Sequence, residues 1–431
     1  LITLGNLEDD FDKLADCDWI IEVIIEQLAP KQALMKRLEA IRKPNAIVSS
    51  NTSCIPNWQI ASGRSDEFRA HFLGTHIITT SRYMKLLEII PTTDTDPEVV
   101  EFMKRFGSEV LGKGVVVCKD TPNFIGNRFF AVASSFGLEH ALQNGYSIAE
   151  VDAITGPTIG RPKTATYRLL DLVGLDVMAH VNNNLYDAVP HDAYREMLRP
   201  EKTSALMTAM LEKKWLGNKA GQGFYKQERV NGAREFWTLN PATMTHEPTP
   251  KVRFDSIGAV RSVDDLGERV RKLLTFDDRA ANYVRDILYY GFAYAAYVAP
   301  EIAYHLSDVD DAMRWGFSHE AGPVEMWDML GVAETAEKME AQGLTVAPWV
   351  KEMLAAGHKS FYKRNGTTQV YDFTAKAYRA AEPDKNIILV SDLRAAGKTV
   401  EHNDSASLLD MGDGVALFEF HAKMNAIDQD I

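Results

Sequence analysis

Five short, almost continuously apolar runs mark the chain before residue 120: DWIIEVII at 18–25, AIVSS at 46–50, HFLGTHII at 71–78, KLLEII at 85–90 and VVVC at 115–118. Runs of this length without polar alternation predict strands buried on both faces, as in a largely parallel sheet. Helical spacing separates them. Pro30 suits a first helical turn, Leu34, Leu38 and Ile41 share the face that follows, and Arg42 and Lys43 sit near the end. Pro97 opens a second such stretch through Val100, Met103 and Phe106, closing near Gly112. The alternation of strand and helix predicts a doubly wound α/β sheet.

Beyond residue 120 the helical period dominates. FFAVASSFGLEHALQNG predicts a long apolar helix ending at Gly145, and helical segments follow to WLGNKAGQGFYK at 215–226, whose glycines suit turns. The segment 150–176, EVDAITGPTIGRPKTATYRLLDLVGLD, is echoed at 308–334 by DVDDAMRWGFSHEAGPVEMWDMLGVAE. Asp152 and Asp171 correspond to Asp310 and Asp328, Gly174 corresponds to Gly331, and FYK recurs at 224–226 and 361–363. Two copies of one helical unit can pack face to face and bury surface that neither buries alone. Residues 227–270 and 364–404 read as connectors, with IILV in the second as a candidate strand.

Composition narrows the class. At 431 residues and 45% hydrophobic, the chain is long enough for two to four domains with substantial cores. No apolar run reaches membrane-span length, so no membrane insertion is expected. A formal net charge of −13 argues against a nucleic-acid partner, while leaving room for a local basic patch such as GRPK at 160–163, which reads equally as a solvated loop. Cys17, Cys54 and Cys118 have no metal-ligand spacing and suggest a reducing compartment, with the cytoplasm as the expected location.

Candidate chemistry gathers where the predicted strands end: SNTS at 50–53, GTH at 74–76, KLLEII at 85–90 and DTPNFIGNR at 120–128. Strand ends are where an open α/β sheet presents residues to a ligand. Each residue alone has a plainer reading. Ser53 serves equally well as a helix cap, Asn127 as a partner for buried backbone, and His76 as a structural histidine; His71, without comparable company, is expected to be structural. Glu88 interrupts an apolar run, and a carboxylate there needs a partner, which His76, twelve positions earlier (88 − 76), supplies.

Taken together and in this order, the motifs resemble those of the 3-hydroxyacyl-CoA dehydrogenase family, NAD-dependent enzymes of fatty acid β-oxidation, over residues 1–363. The resemblance implies His76 as the general base on the substrate's C3 hydroxyl and Glu88 as its carboxylate partner. It further implies Ser53 as a hydrogen-bond donor to the reacting oxygen and Asn127 as an amide at the thioester end. Glu26, Lys31, Ser53 and Thr79 fall at positions beside the nicotinamide. An acyl-CoA substrate and NAD follow, with a homodimer or an internal pseudo-dimer as the expected assembly. The implied fold is an incomplete Rossmann-type doubly wound sheet followed by two mainly α-helical domains of the family's C-terminal type.

Two departures qualify this reading. The family's HFFNP is HIITT here, so Thr79 replaces an asparagine and Thr80 a proline; the hydroxyl keeps a donor but loses the amide's reach. No GxGxxG turn occurs, and the sequence opens like the middle of a Rossmann domain, so the segment carrying that turn is expected to precede Leu1. At the other end, GDGVALFEF and KMNAI resemble the opening strands of the enoyl-CoA hydratase/isomerase (crotonase) fold. The expected domains are a partial NAD-binding domain at 1–121, a helical substrate or dimerisation domain at 122–226, a connector at 227–270, a second helical repeat at 271–363, a connector at 364–404 and a crotonase-like start at 405–431. A dehydrogenase–hydratase fragment, a small-hydroxy-acid dehydrogenase and a catalytically silent structural relative are the competing functions.

Overall fold

A computed structural model describes residues 2–78, 81–364, 368–380, 388, 390–422, 427, 429 and 431, the side chains of 391 and 395 excepted. The chain divides into two compact units, Leu1–Val350 and Lys351–Ile431.

In the first unit all five apolar runs form strands: β1 (Trp19–Glu22), β2 (Ile47–Ser50), β3 (Phe72–His76), β4 (Leu86–Pro91) and β5 (Gly114–Val117). They lie side by side in chain order. β1 to β3 run parallel, β4 reverses against β3, and β5 runs parallel to β4, so the sheet is mixed where the sequence suggested largely parallel. Period-two side-chain alternation splits its core between two faces. Val48 and Phe72 pack with Leu34, Met35 and Leu38 of α1 (Leu28–Ile41), whereas Ile47 and Leu73 pack with Val99 and Met103 of α2 (Pro97–Arg105). Each such apolar side chain contributes about 1.5–3 kcal/mol by leaving water.

The predicted long helix is α3 (Gly126–Gln143), followed by α4 (Ile148–Ile154), α5 (Tyr167–Val173) and α6 (Leu175–Ala188). The repeat is structural as well as textual, with α7 (Arg279–Ile302), α8 (Leu306–Phe317), α9 (Pro323–Leu330) and α10 (Val332–Ala341) in the second copy. In both copies the first aspartate closes a helix start. Asp152 accepts from the amides of Thr166, Tyr167 and Arg168, and Asp310 from those of Val324 and Glu325. Gly174 and Gly331 turn the corner to the next helix at φ +104° and +90°, a region costly for other residues.

α3 packs on α7 through a Phe136–Tyr290 stack with centroids 3.8 Å apart, and the Tyr283 hydroxyl donates to the Gly137 carbonyl at 3.0 Å. The second copy also covers the β5 edge of the sheet: Cys118 bridges to Ala303, and the Trp315 ring lies so close to Gly114 that no Cβ fits between them.

The stretch read as a connector at 227–270 is folded. Strands Tyr225–Val230, Ala233–Asn240 and Thr245–Pro248 form an antiparallel sheet, and short helices span Asp255–Val260 and Leu266–Leu273. Its strands are largely solvated, so they lack the apolar signature of a core strand. The second unit likewise fills the expected connector at 364–404. One sheet contains Tyr362–Arg364, Thr368–Asp372 and Ala377–Ala380; another contains Thr399–His402, Ala406–Gly412 and Val415–Phe420. The IILV run is no strand where it is described, because Val390 opens the helix Val390–Ala395; Ile387 and Leu389 lie outside the described residues. GDGVALFEF supplies the turn and second strand of a hairpin whose first strand is Ala406–Gly412, whereas the KMNA part of KMNAI lies outside the described residues.

Candidate functional site

β3 and β4 run antiparallel in a register that sets His76 directly opposite Glu88. Both side chains are buried, at 3% and 0% exposure, so the pair is shielded from competing water. His76 Nδ1 lies 2.6 Å from Glu88 Oε2. The other carboxylate oxygen accepts from the amides of Ile125 and Gly126 at 3.1 and 2.9 Å, where α3 begins, and from the Cys118 thiol at 3.6 Å. With Glu88 an acceptor toward its amide donors, Nδ1 carries the proton and Nε2 presents its lone pair. Ser53 Oγ stands 3.3 Å from that Nε2.

Ser53 is itself held from behind. Glu26 Oε1 accepts from the Thr52 hydroxyl at 2.5 Å and from the amides of Ser53 and Cys54 at 2.9 and 3.1 Å, which fixes the turn after β2. Burial alone would raise the Glu26 carboxyl, but the Thr52 hydroxyl, Lys31 and those amides outweigh it and hold it below the usual carboxylate value. Lys31 is buried, and its ammonium reaches Glu22 at 2.8 Å, Glu26 at 3.2 Å and the Ile24 carbonyl at 3.3 Å. Its three donors are therefore occupied, and in this structure it orients Glu26. Cys54, next to Ser53, is kept a thiol: burial, then the Glu26 charge, pushes it up to about 12.

Asn127 occupies the first turn of α3, one residue beyond the Gly126 amide that binds Glu88. Its own amide makes no hydrogen bond among the described residues and is half-buried. Thr79 and Thr80 lie outside the described residues. His71 binds the Glu67 carbonyl at 3.0 Å, the structural role expected of it.

Sequence reasoning passed over several members of this network. Glu22 anchors Lys31 and also accepts from Ser50 Oγ at 2.5 Å, and Asn51 Oδ1 accepts from the Ile77 amide at 3.0 Å, tying the ends of β2 and β3. A carboxylate inside the IIEVII run was the available signal for Glu22. Phe317, from the second helical copy, packs against Gly126 beside Glu88, which no local motif indicated. Among the described residues no group of three or more His, Cys, Asp or Glu side chains could hold a metal ion, and no helix is long and apolar enough to cross a membrane.

Residues 1–121 match the family model described as 3-hydroxyacyl-CoA dehydrogenase, NAD binding domain. Residues 124–227 match the one described as 3-hydroxyacyl-CoA dehydrogenase, C-terminal domain. A probable 3-hydroxyacyl-CoA dehydrogenase of Bacillus subtilis is 46% identical over all 431 residues, which cover 53% of that relative. A probable 3-hydroxybutyryl-CoA dehydrogenase of Deinococcus radiodurans is 32% identical over 219 residues, 50% of this chain and 74% of that one. The crystal structure of 3-hydroxybutyryl-CoA dehydrogenase from Escherichia coli K12 superposes with a TM-score of 0.59 at 20% identity, covering 81% of this chain and 84% of that one, a likeness of fold. The chain spans about half the length of the curated relatives that match it throughout. Both domain models fall in order along the first 227 residues, and the chain belongs to the 3-hydroxyacyl-CoA dehydrogenase family.

Proposed function

We propose that the protein oxidises a 3-hydroxyacyl-CoA to the 3-ketoacyl-CoA in fatty acid β-oxidation, and catalyses the reverse reduction. The observation that supports this best is the hydrogen-bonded series Ser53–His76–Glu88 at the strand ends. His76 Nε2 takes the proton of the C3 hydroxyl, and Glu88 holds the ring in the required tautomer and stabilises the imidazolium that forms. Ser53 donates to the same oxygen. The unengaged Asn127 amide binds the thioester end.

NAD, when bound, accepts the hydride from C3. Glu26, Ser53 and Thr79 are the residues assigned to its nicotinamide end, with Lys31 acting through Glu26. The Glu26 carboxylate, half-buried and fixed by three donors from the Thr52–Cys54 turn, is a donor-poor, acceptor-rich group suited to ribose hydroxyls. The 431 residues contain no glycine-rich strand-to-helix turn for a pyrophosphate, so the residues present fit the nicotinamide end alone.

In this reading residues 1–121 form the cofactor side, 122–226 the substrate side, and the second helical copy replaces a dimer partner from within the chain. The three free cysteines fit a reducing compartment, the cytoplasm. Dependence on the thioester is the test: 3-hydroxybutyryl-CoA should reduce NAD while free 3-hydroxybutyrate does not. Equal use of the free acid would favour a small-hydroxy-acid dehydrogenase.

A further inference from the structure

Between the two helical copies lies a mainly apolar cavity of about 80 Å³ that the proposed reaction leaves unused. By volume it takes on the order of five water-sized groups, comparable to a short acyl chain. α3 supplies Phe130 and Ser134, α7 supplies Tyr283, the GRPK turn supplies Arg161, and His319 follows α8.

The charge on Arg161 is unanswered. Its guanidinium makes no ion pair and no hydrogen bond among the described residues. Carboxylates nearby are committed elsewhere. Glu320, whose Cβ stands against Gly160, pairs with Arg269 at 3.1 Å, and Asp152 is taken up by the start of α5 and by the Tyr225 hydroxyl. The cavity's hydroxyls are self-satisfied: Ser134 donates to the Phe130 carbonyl, Tyr283 to the Gly137 carbonyl, and Thr155 and Thr166 bind one another. His319 adds no charge, because burial, then Arg161, pushes its imidazole down to about 3. Arg161 is half-buried, its guanidinium cannot discharge, and beside apolar walls that charge is only partly solvated until an anion meets it. Its planar fork matches a carboxylate.

The cavity also neighbours the site described above. Gly126, which binds Glu88, touches the Phe317 ring; Phe317 stacks on Phe130 at 4.5 Å, and Phe130 lines the cavity. One aromatic layer separates the two.

We propose that this cavity binds a carboxylate at the end of a short apolar chain, with Arg161 as its anchor. The carboxylate comes from a free short-chain acid, because the Phe130–Phe317 layer stands between the cavity and His76.

The experiment titrates the protein and its Arg161→Gln variant with hexanoate and hexanamide. Hexanoate binding at least tenfold tighter than hexanamide, with the preference lost in Arg161→Gln, supports the site. No preference for hexanoate, or a preference kept in the variant, overturns the proposal. So does a ligand-free variant that melts several degrees below the parent, since removing an unanswered charge should not destabilise.

Discussion

At the scale of residues, Glu88 divides its work between its two oxygens: one orients His76 and the other receives the first amides of α3. Glu88→Gln replaces an acceptor with a donor on one side, so either the ring loses its tautomer or the helix start loses a partner. The expected result is a fall in kcat of about 10²- to 10⁴-fold. Steady-state kinetics check it, and a change under threefold would contradict the orienting role. Ser53→Ala should cost less, about tenfold, because it removes one hydrogen bond of roughly 1.4 kcal/mol to the reacting oxygen. A carboxylate in an apolar run near a histidine was legible in the sequence because burial of a lone charge demands a partner. The Glu22–Lys31–Glu26 relay was only half legible. The resemblance placed Lys31 beside the nicotinamide, and its burial becomes apparent only when β1 and the following turn place two carboxylates around it.

At the scale of elements, aspartates close the helical units. Asp171 is buried and accepts from the amides of Phe224 and Tyr225, both at 2.8 Å, and burial pushes its carboxyl up to about 6 from an ordinary 3.8. Between pH 4 and 6 the folded chain therefore holds more of this proton than the unfolded chain, and stability falls as pH rises through that window. The loss amounts to at most about 3 kcal/mol. Denaturation of the protein and of Asp171→Asn across pH 4–7 should show this slope in the parent and not in the variant; identical slopes would contradict the assignment. The aspartate–glycine spacing made the repeat legible, since each Asp and Gly answers a backbone requirement that survives divergence. The strands at 225–248 were not legible. Ala233–Asn240 is mostly exposed over its first half, so alternation against a core never develops there.

At the scale of the molecule, the first unit is joined across its two helical copies by a buried cation. Arg128 of α3 meets Asp192 at 2.8 Å, the Tyr294 hydroxyl of α7 at 3.0 Å and Glu301 at 3.2 Å. Arg128→Met removes the buried counter-charge of Asp192, which keeps the Tyr294 hydroxyl and the Tyr194 amide, and should destabilise the unit by about 3 kcal/mol, read from chemical denaturation; a loss below about 1 kcal/mol would mean that the clamp is dispensable. Because α7 already covers α3, the chain should sediment as a monomer, and a concentration-dependent shift to twice its mass would contradict the pseudo-dimer. The repeat made a face-to-face pairing of the copies an expectation beside a homodimer, whereas the Arg128 clamp was not readable from local pattern, since it depends on which helices meet. The central claim is that His76 is the base of an NAD-linked oxidation of a CoA thioester. Its most direct test is NAD reduction by 3-hydroxybutyryl-CoA, followed at the nicotinamide absorbance, with the protein and its His76→Ala variant compared at equal cofactor occupancy. Turnover that collapses by 10² or more in the variant is the predicted result. Turnover in the variant within a few-fold of the parent, or none in a parent that binds NAD, would contradict the account.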